Sequence, residues 1–176
     1  MKRIDKKIVE DKSISFFAER RKTVRAIIIK DTRILLVYSY KYNDYMFPGG
    51  GVKNGESLKN ALKRELTEEL GAGKISIIDS FGQIKEKRYS AKDKRPINQK
   101  SYYFLCEVSH IGKQHLENDE ESYGVKPTWI DIEEALKHNE GIVNDDTHQQ
   151  KGIRTVMCRE IIVLKEIIKR MSNEKI

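Results

Sequence analysis

Residues 57–70 limit what this chain can become more than any other stretch. Leu58, Ala61, Leu62, Leu66 and Leu70 recur at three- and four-residue steps, the spacing of one apolar helix face. At roughly 100° per residue, Glu65, Glu68 and Glu69 also fall within one arc of about 100°. That arc overlaps the apolar side, while the fully polar side lies around Asn60, Lys63 and Thr67. Glu65 and Glu69 are a like-charge i,i+4 pair, costing about 0.2–0.5 kcal/mol. Glu68 and Glu69 occupy the last turn, where the helix dipole opposes anions by ~0.3–1 kcal/mol each. A solvated acidic face is the ordinary fate of clustered glutamates, but here it would carry these penalties uncompensated. A divalent cation removes them: Mg²⁺ takes hard oxygen ligands, keeps several waters, and suits a few carboxylates plus a phosphate.

The flanking residues define where this helix starts and stops. Phe47, Pro48 and the run Gly49, Gly50, Gly51 interrupt regular structure and open a loop whose glycines let backbone approach a ligand closely. Gly71 and Gly73 are placed to close the helix. Upstream, the β-branched residues 23–30 read as a strand, Asp31 and Thr32 as a turn, and 33–38 as the returning partner. Residues 1–22 form an N-terminal extension or an edge strand, centred on 13–17. Further strands are predicted over 74–78, 82–87, 101–108 and 127–130, then a short helix over 132–137. Residues 152–171 carry a second amphipathic helix, with Ile153, Val156, Met157, Ile161, Leu164, Ile168 and Met171 in one wide stripe. One α/β domain over residues 1–176 follows, with a mixed β-sheet between the 57–70 helix and the C-terminal helix.

Composition narrows the class without naming a ligand. No apolar run approaches membrane-spanning length, and residues 1–13 lack the apolar core of a secretory signal. Cys106 and Cys158 form no metal or redox spacing, which fits two reduced core residues and a cytoplasmic location. Lys and Arg number 34 against 27 acidic residues, a formal +7, which suits polyanionic partners. The excess is spread along the chain, except that residues 85–100 hold seven basic and two acidic side chains.

From Gly50 the sequence reads G-x₅-E-x₇-R-E-L-x-E-E-x-G-A, with Glu56, Arg64, Glu65, Leu66, Glu68, Glu69 and Gly71 in place. This resembles the Nudix box, residues 50–72, departing only at Ala72, where a bulkier aliphatic is usual. The Phe-Pro-Gly-Gly lead-in, the preceding hairpin and the Trp129 region are also similar to members of that family. The resemblance implies the Nudix α/β/α sandwich and MutT-like chemistry: hydrolysis of the pyrophosphate linkage in a nucleoside diphosphate joined to a group X. It implies Mg²⁺, with Mn²⁺ as a substitute, held by Glu65, Glu68, Glu69 and the Gly50 carbonyl. Glu65 would be the base, with the acidic loop of Glu117, Glu120 and Glu121 as the other source. Glu56 would pair with Arg64 to fix the loop against the helix.

Substrate choice lies outside the box. Arg88 stands where many ADP-ribose hydrolases carry proline, and Tyr89 stands where many diadenosine polyphosphate hydrolases carry tyrosine. The motif of the coenzyme A hydrolases is absent. Tyr45, Phe47, Gly49, Gly50, Arg88 and Tyr89 are the candidate substrate contacts; Tyr40, Tyr42, Tyr45 and Phe47 flank the glycine run, where one could stack on a base. His138 and His148 are expected at the surface. Three functional readings stay open: hydrolysis of a small nucleotide, an RNA 5′-pyrophosphohydrolase using the basic 85–100 segment, and a non-catalytic nucleotide sensor. A homodimer is one assembly open to the chain; a membrane is not an expected partner.

Overall fold

The computed structural model describes residues 3–116 and 124–173. In chain order the elements are β1 (Ile4–Val9), β2 (Glu19–Ile27), β3 (Ile29–Lys30), β4 (Arg33–Ser39), β5 (Asp44–Met46), α1 (Leu58–Leu70), β6 (Ile75–Tyr89), β7 (Pro96–Val108), β8 (Val125–Asp131), α2 (Ile132–Ile142) and α3 (Ile153–Asn173). They form two four-stranded sheets, the first of them mixed. The first has the order β1-β6-β7-β2; the second has β3-β4-β5, with β8 on the free side of β4. β6 and β7 are an antiparallel hairpin, and β1 and β2 flank it in parallel.

Strand alternation explains the layers. Ile34 and Leu36 of β4 enter a core with Ile132 and Ala135 of α2 and Val163, Leu164 and Ile167 of α3. Leu35 and Val37 point the other way, into a core with Ala61, Leu62, Leu66 and Leu70 of α1. A strand buried on both faces reads as a continuous apolar run, which is why RILLVY shows no alternation. The result is an α/β/α sandwich with α1 on one side and α2 and α3 on the other.

Three sequence expectations need correction. The single strand expected over 23–30 divides at Ile28: β2 pairs with β7, while β3 turns into a hairpin with β4. The strands expected over 74–78 and 82–87 are one, β6, carrying register shifts at Ile77/Asp79 and Ser80/Gly82. Gly82 has φ 137°, and a side chain there would collide with the Ile4 carbonyl, so this glycine marks a bulge against β1 rather than a strand end. The N-terminal edge strand is β1, not residues 13–17, which lie in the loop before β2. β1 carries Asp5, Lys6 and Lys7 between Ile4 and Ile8, a composition that suits an exposed edge.

His148 is also not at the surface. Its ring has 0% exposure, with Nδ1 2.8 Å from Asp145 Oδ1 and Nε2 3.3 Å from Asp44 Oδ2, and so pins the α2–α3 connection to β5. The hydrogen bond to Asp44 raises His148 above its ordinary pKa of 6.5, and burial raises Asp44. Both groups therefore hold a proton more tightly folded than unfolded. The His148 contribution is complete below pH 6.5 and fades as pH rises through its raised folded value. The melting temperature is expected to fall as pH is raised through that window, and to fall less in His148→Gln. Parallel pH profiles for the two proteins would contradict this.

Candidate active site

α1 starts at Ser57, whose hydroxyl accepts from the Asn60 amide at 3.2 Å, and stops at Gly71 in the left-handed region, φ 56°. Gly73 is not part of this cap; its amide donates to the His110 carbonyl. The loop before the helix lies alongside β2 as an irregular extra strand. Ala26 N donates to Pro48 O, Val24 N to Gly50 O at 3.0 Å, and Val52 N to Lys22 O. One lone pair of the Gly50 carbonyl is thus committed to β2.

Arg64 organises the cluster. Its Nε and Nη2 each donate to Glu56 at 3.0 Å, and Nη2 also donates to the Gly51 carbonyl at 2.9 Å. Its Nη1 lies 2.6 Å from Glu65 Oε1 and 3.1 Å from Glu68 Oε2. The Arg64 contact, helped by the Lys53 amide, holds the Glu56 carboxyl below its usual range. Glu65 is 8% exposed; burial pushes its carboxyl up against the opposing pull of Arg64. Glu69, 7% exposed, accepts from the Gly49 amide at 2.6 Å. Gly50 has the Glu65 carboxylate packed directly against it, where any side chain would collide.

Among the described residues no three carboxylates or imidazoles converge as an ion-binding group. The donor chemistry nevertheless suits a hard divalent cation, because two carboxylates of α1 meet at one positive nitrogen, Arg64 Nη1. Arg64 has separate anchors on Glu56 and Gly51, so its place does not depend on Glu65 and Glu68. Glu120, with Glu117 and Glu121, lies outside the described residues.

The substrate contacts expected from sequence are scattered. Gly49 and Gly50 lie against Glu69 and Glu65. Phe47 is 1% exposed and packs edge-on to Tyr103, so its ring belongs to the core and is not a stacking platform. Tyr45 packs against Tyr38 and His138, ring centroids 5.0 Å apart in each case. Arg88 is 4% exposed and donates to Gln99 Oε1 and the Tyr89 carbonyl, both at 2.8 Å. The Tyr89 hydroxyl donates to Asp11 at 2.7 Å. Arg88 and Tyr89 thus join strands and loops rather than facing α1.

The residues that sequence reading missed form a buried polar belt behind the loop. Thr23, which bridges Gly51, donates to Ser101; Ser101 donates to Glu86 at 2.9 Å. Arg159 Nη1 lies 3.2 Å from Glu86, and its Nη2 lies 2.8 Å from Glu160. Glu160 Oε2 accepts from the Phe47 amide at 2.7 Å, while Arg25 donates to the carbonyls of Phe47 and Gly49. The glycine loop is therefore held at both ends. Two signals were available: a charge inside the strand TVRAIIIK, and Glu160 inside the apolar stripe of the last helix.

The profile of the family described as the NUDIX domain matches residues 19–150. An RNA pyrophosphohydrolase of Campylobacter jejuni is 34% identical over 87 residues, which cover 44% of this chain and 56% of that protein. Diphosphoinositol polyphosphate phosphohydrolase 3-alpha of Mus musculus is 31% identical over 111 residues, 61% of this chain and 60% of that protein. The chain thus spans little more than half the length of these curated relatives. Among solved structures, a NUDIX hydrolase from Nitrosomonas europaea superposes with TM-score 0.54 at 20% identity, over 79% of this chain and 86% of that one. A UDP-X diphosphatase gives TM-score 0.50 at 24% identity, over 69% and 56%. Both share the fold.

Proposed function

The chain belongs to the NUDIX domain family, and from that membership we propose that it hydrolyses the pyrophosphate linkage of a nucleoside diphosphate joined to a group X, using Mg²⁺ or, in its place, Mn²⁺. The observation carrying this reading is the meeting of Glu65 and Glu68 at Arg64 Nη1. Glu65, Glu68 and Glu69 would hold the ion, with the free lone pair of the Gly50 carbonyl. A bound ion polarises phosphoryl oxygens and lowers the pKa of water. Glu65 takes the proton as the water oxygen attacks phosphorus and the bridging P–O bond breaks, the electron pair leaving on the departing phosphate. Its burial favours the protonated form, which makes the carboxylate a stronger acceptor. Arg64, fixed by Glu56, keeps Glu65 and Glu68 together, and Glu69 and Arg25 keep the glycine loop in place.

Gly50→Ala tests this geometry without touching a charge. The new methyl would displace only the end of a flexible side chain, so the melting temperature is expected to stay close to wild type. Turnover is expected to fall by about 10²-fold, the usual cost of a misplaced reacting group. Wild-type turnover in a folded Gly50→Ala protein would remove Glu65 from the mechanism.

A second reading, removal of pyrophosphate from the 5′ end of an RNA, is favoured by the name of the Campylobacter relative and by the basic 85–100 segment. The deciding experiment incubates the protein with nucleoside triphosphates, dinucleoside polyphosphates, nucleotide sugars and 5′-triphosphorylated RNA, with Mg²⁺ or with a chelator, and identifies the products. Cleavage within a phosphoanhydride that stops on chelation is the expected result. Equal turnover in the chelator would overturn the metal-dependent reading.

A further inference from the structure

The first sheet has one face that is half covered. α1 packs on Val24, Ala26, Phe104 and Cys106, and the loop of residues 14–18 is bonded to Lys87 and Asn98 at the other end. Among the described residues the side chains between them are exposed or half-buried. Strand registry places Lys7 beside Lys85, Lys85 opposite Lys100, and Lys100 beside Lys22. Four lysines therefore run in one cross-strand row over β1, β6, β7 and β2. In the next row Lys87 and Arg20 flank Asn98. Asp5 is the carboxylate set among them, 3.2 Å from Lys85 Nζ. The alternate residues Glu86, Arg88, Gln99 and Ser101 point inward and are buried. Strand periodicity thus splits the basic 85–100 segment into an internal half paired with buried groups and an external row, in which Lys85 meets Asp5 and Lys87 donates to the Ile14 carbonyl. Like charges directly opposite one another weaken a sheet.

A second observation adjoins it. Phe16 and Phe17, in the loop before β2, are 65% and 91% exposed, edge to face with centroids 5.8 Å apart. The loop is firmly held. The Asn98 amide donates to the carbonyls of Ser15, Phe16 and Ala18, Lys87 donates to that of Ile14, and the Arg20 guanidinium lies 5.2 Å from the Phe16 ring. The scaffold fixes two large aromatic rings in water, beside a row of cations.

We propose that this face binds single-stranded RNA, its phosphates along the lysine row and its bases against Phe16 and Phe17. A basic track with aromatic side chains is the combination that single strands recognise, because every base offers a π-face. An inositol polyphosphate offers the anions without the rings, and a second copy of this chain would bring like charge to like. The face also leads to α1: the Lys22 carbonyl accepts from the Val52 amide at 3.0 Å, and the next residue, Thr23, bridges Gly51. An RNA lying on the row would present its end to the glycine loop. That delivery rests on the pyrophosphohydrolase reading, whereas the binding face does not.

The test uses the full chain and a fluorescent single-stranded oligonucleotide with a 5′-triphosphate, measured by anisotropy across a salt series, together with turnover of the same RNA and of a mononucleoside triphosphate. Phe16→Ala/Phe17→Ala is expected to weaken RNA binding by about tenfold or more and to leave mononucleotide turnover unchanged. Lys85→Ala/Lys100→Ala is expected to flatten the log–log salt slope by about 0.7 per lysine. RNA binding lost in the variants of a protein that hydrolyses no nucleotide would uphold the face and reject the catalytic reading. Wild-type RNA affinity in both variants would overturn the proposal. So would binding to phosphatidylserine vesicles without RNA binding, an inositol hexakisphosphate affinity equal to that for RNA and blind to the phenylalanines, or a dimer that dissociates in the phenylalanine variant while RNA binding is unchanged.

Discussion

Glu65→Gln is expected to reduce turnover by about 10²–10⁴-fold, the range for loss of a positioned general base, while leaving the protein at least as stable as wild type. Few active-site substitutions separate the two readouts so cleanly, and the reason lies in burial. The Glu65 carboxyl is pushed up in the folded state, so the folded protein favours its protonated form. Such a group contributes stability below its ordinary pKa of 4.5 and loses that contribution as pH rises through its folded value. Near neutrality its charge is a burden, and a neutral amide removes it, along with the i,i+4 repulsion from Glu69. Thermal unfolding and steady-state turnover on the same preparation check both halves. A large loss of stability alongside the loss of activity would assign Glu65 a structural role.

Arg159→Met is expected to cost about 3–5 kcal/mol, because removing one partner leaves uncompensated charge in the interior. Arg159 is 1% exposed and lies between Glu86 and Glu160, which are 2% and 0% exposed. A total stability of about 5–15 kcal/mol is usual for a domain, so this single change would take a large share of it. Chemical denaturation measures the loss, and a change below about 1 kcal/mol would show that the pair is not stabilising. Turnover is expected to fall as well in whatever fraction stays folded. Glu160 carries the Phe47 amide, and without Arg159 the carboxylate that fixes this end of the glycine loop is free to move.

What could be read from sequence was what depends on residues close together in the chain. The helix α1, its Ser57 start and its Gly71 stop follow from local spacing and capping, as does the stripe of α3. The glutamates were conspicuous because their penalties are local too. Partners of a strand are another matter. Residues 23–30 give no sign that the chain changes sheets at Ile28, since both halves are equally β-branched and only the positions of β4 and β7 divide them. Arg88 read as an accessible cation because the parity of β6 was unknown; once Ile84 faces inward, Glu86 and Arg88 must follow. Phe47 and His148 were misplaced for the same reason. Their burial is decided by Tyr103 and by Asp44, residues 56 and 104 positions away in the chain.

We propose that hydrolysis depends on a divalent cation gathered by the α1 carboxylates. The dependence is read from turnover as a function of Mg²⁺ concentration, for wild type and for Glu68→Gln. Glu68 meets Glu65 at Arg64 Nη1 but is not assigned as the base. Its loss is expected to shift the Mg²⁺ midpoint upward by about 10–100-fold, with no turnover in either protein when the ion is removed. Superimposable Mg²⁺ curves, or activity that persists in chelator, would contradict it.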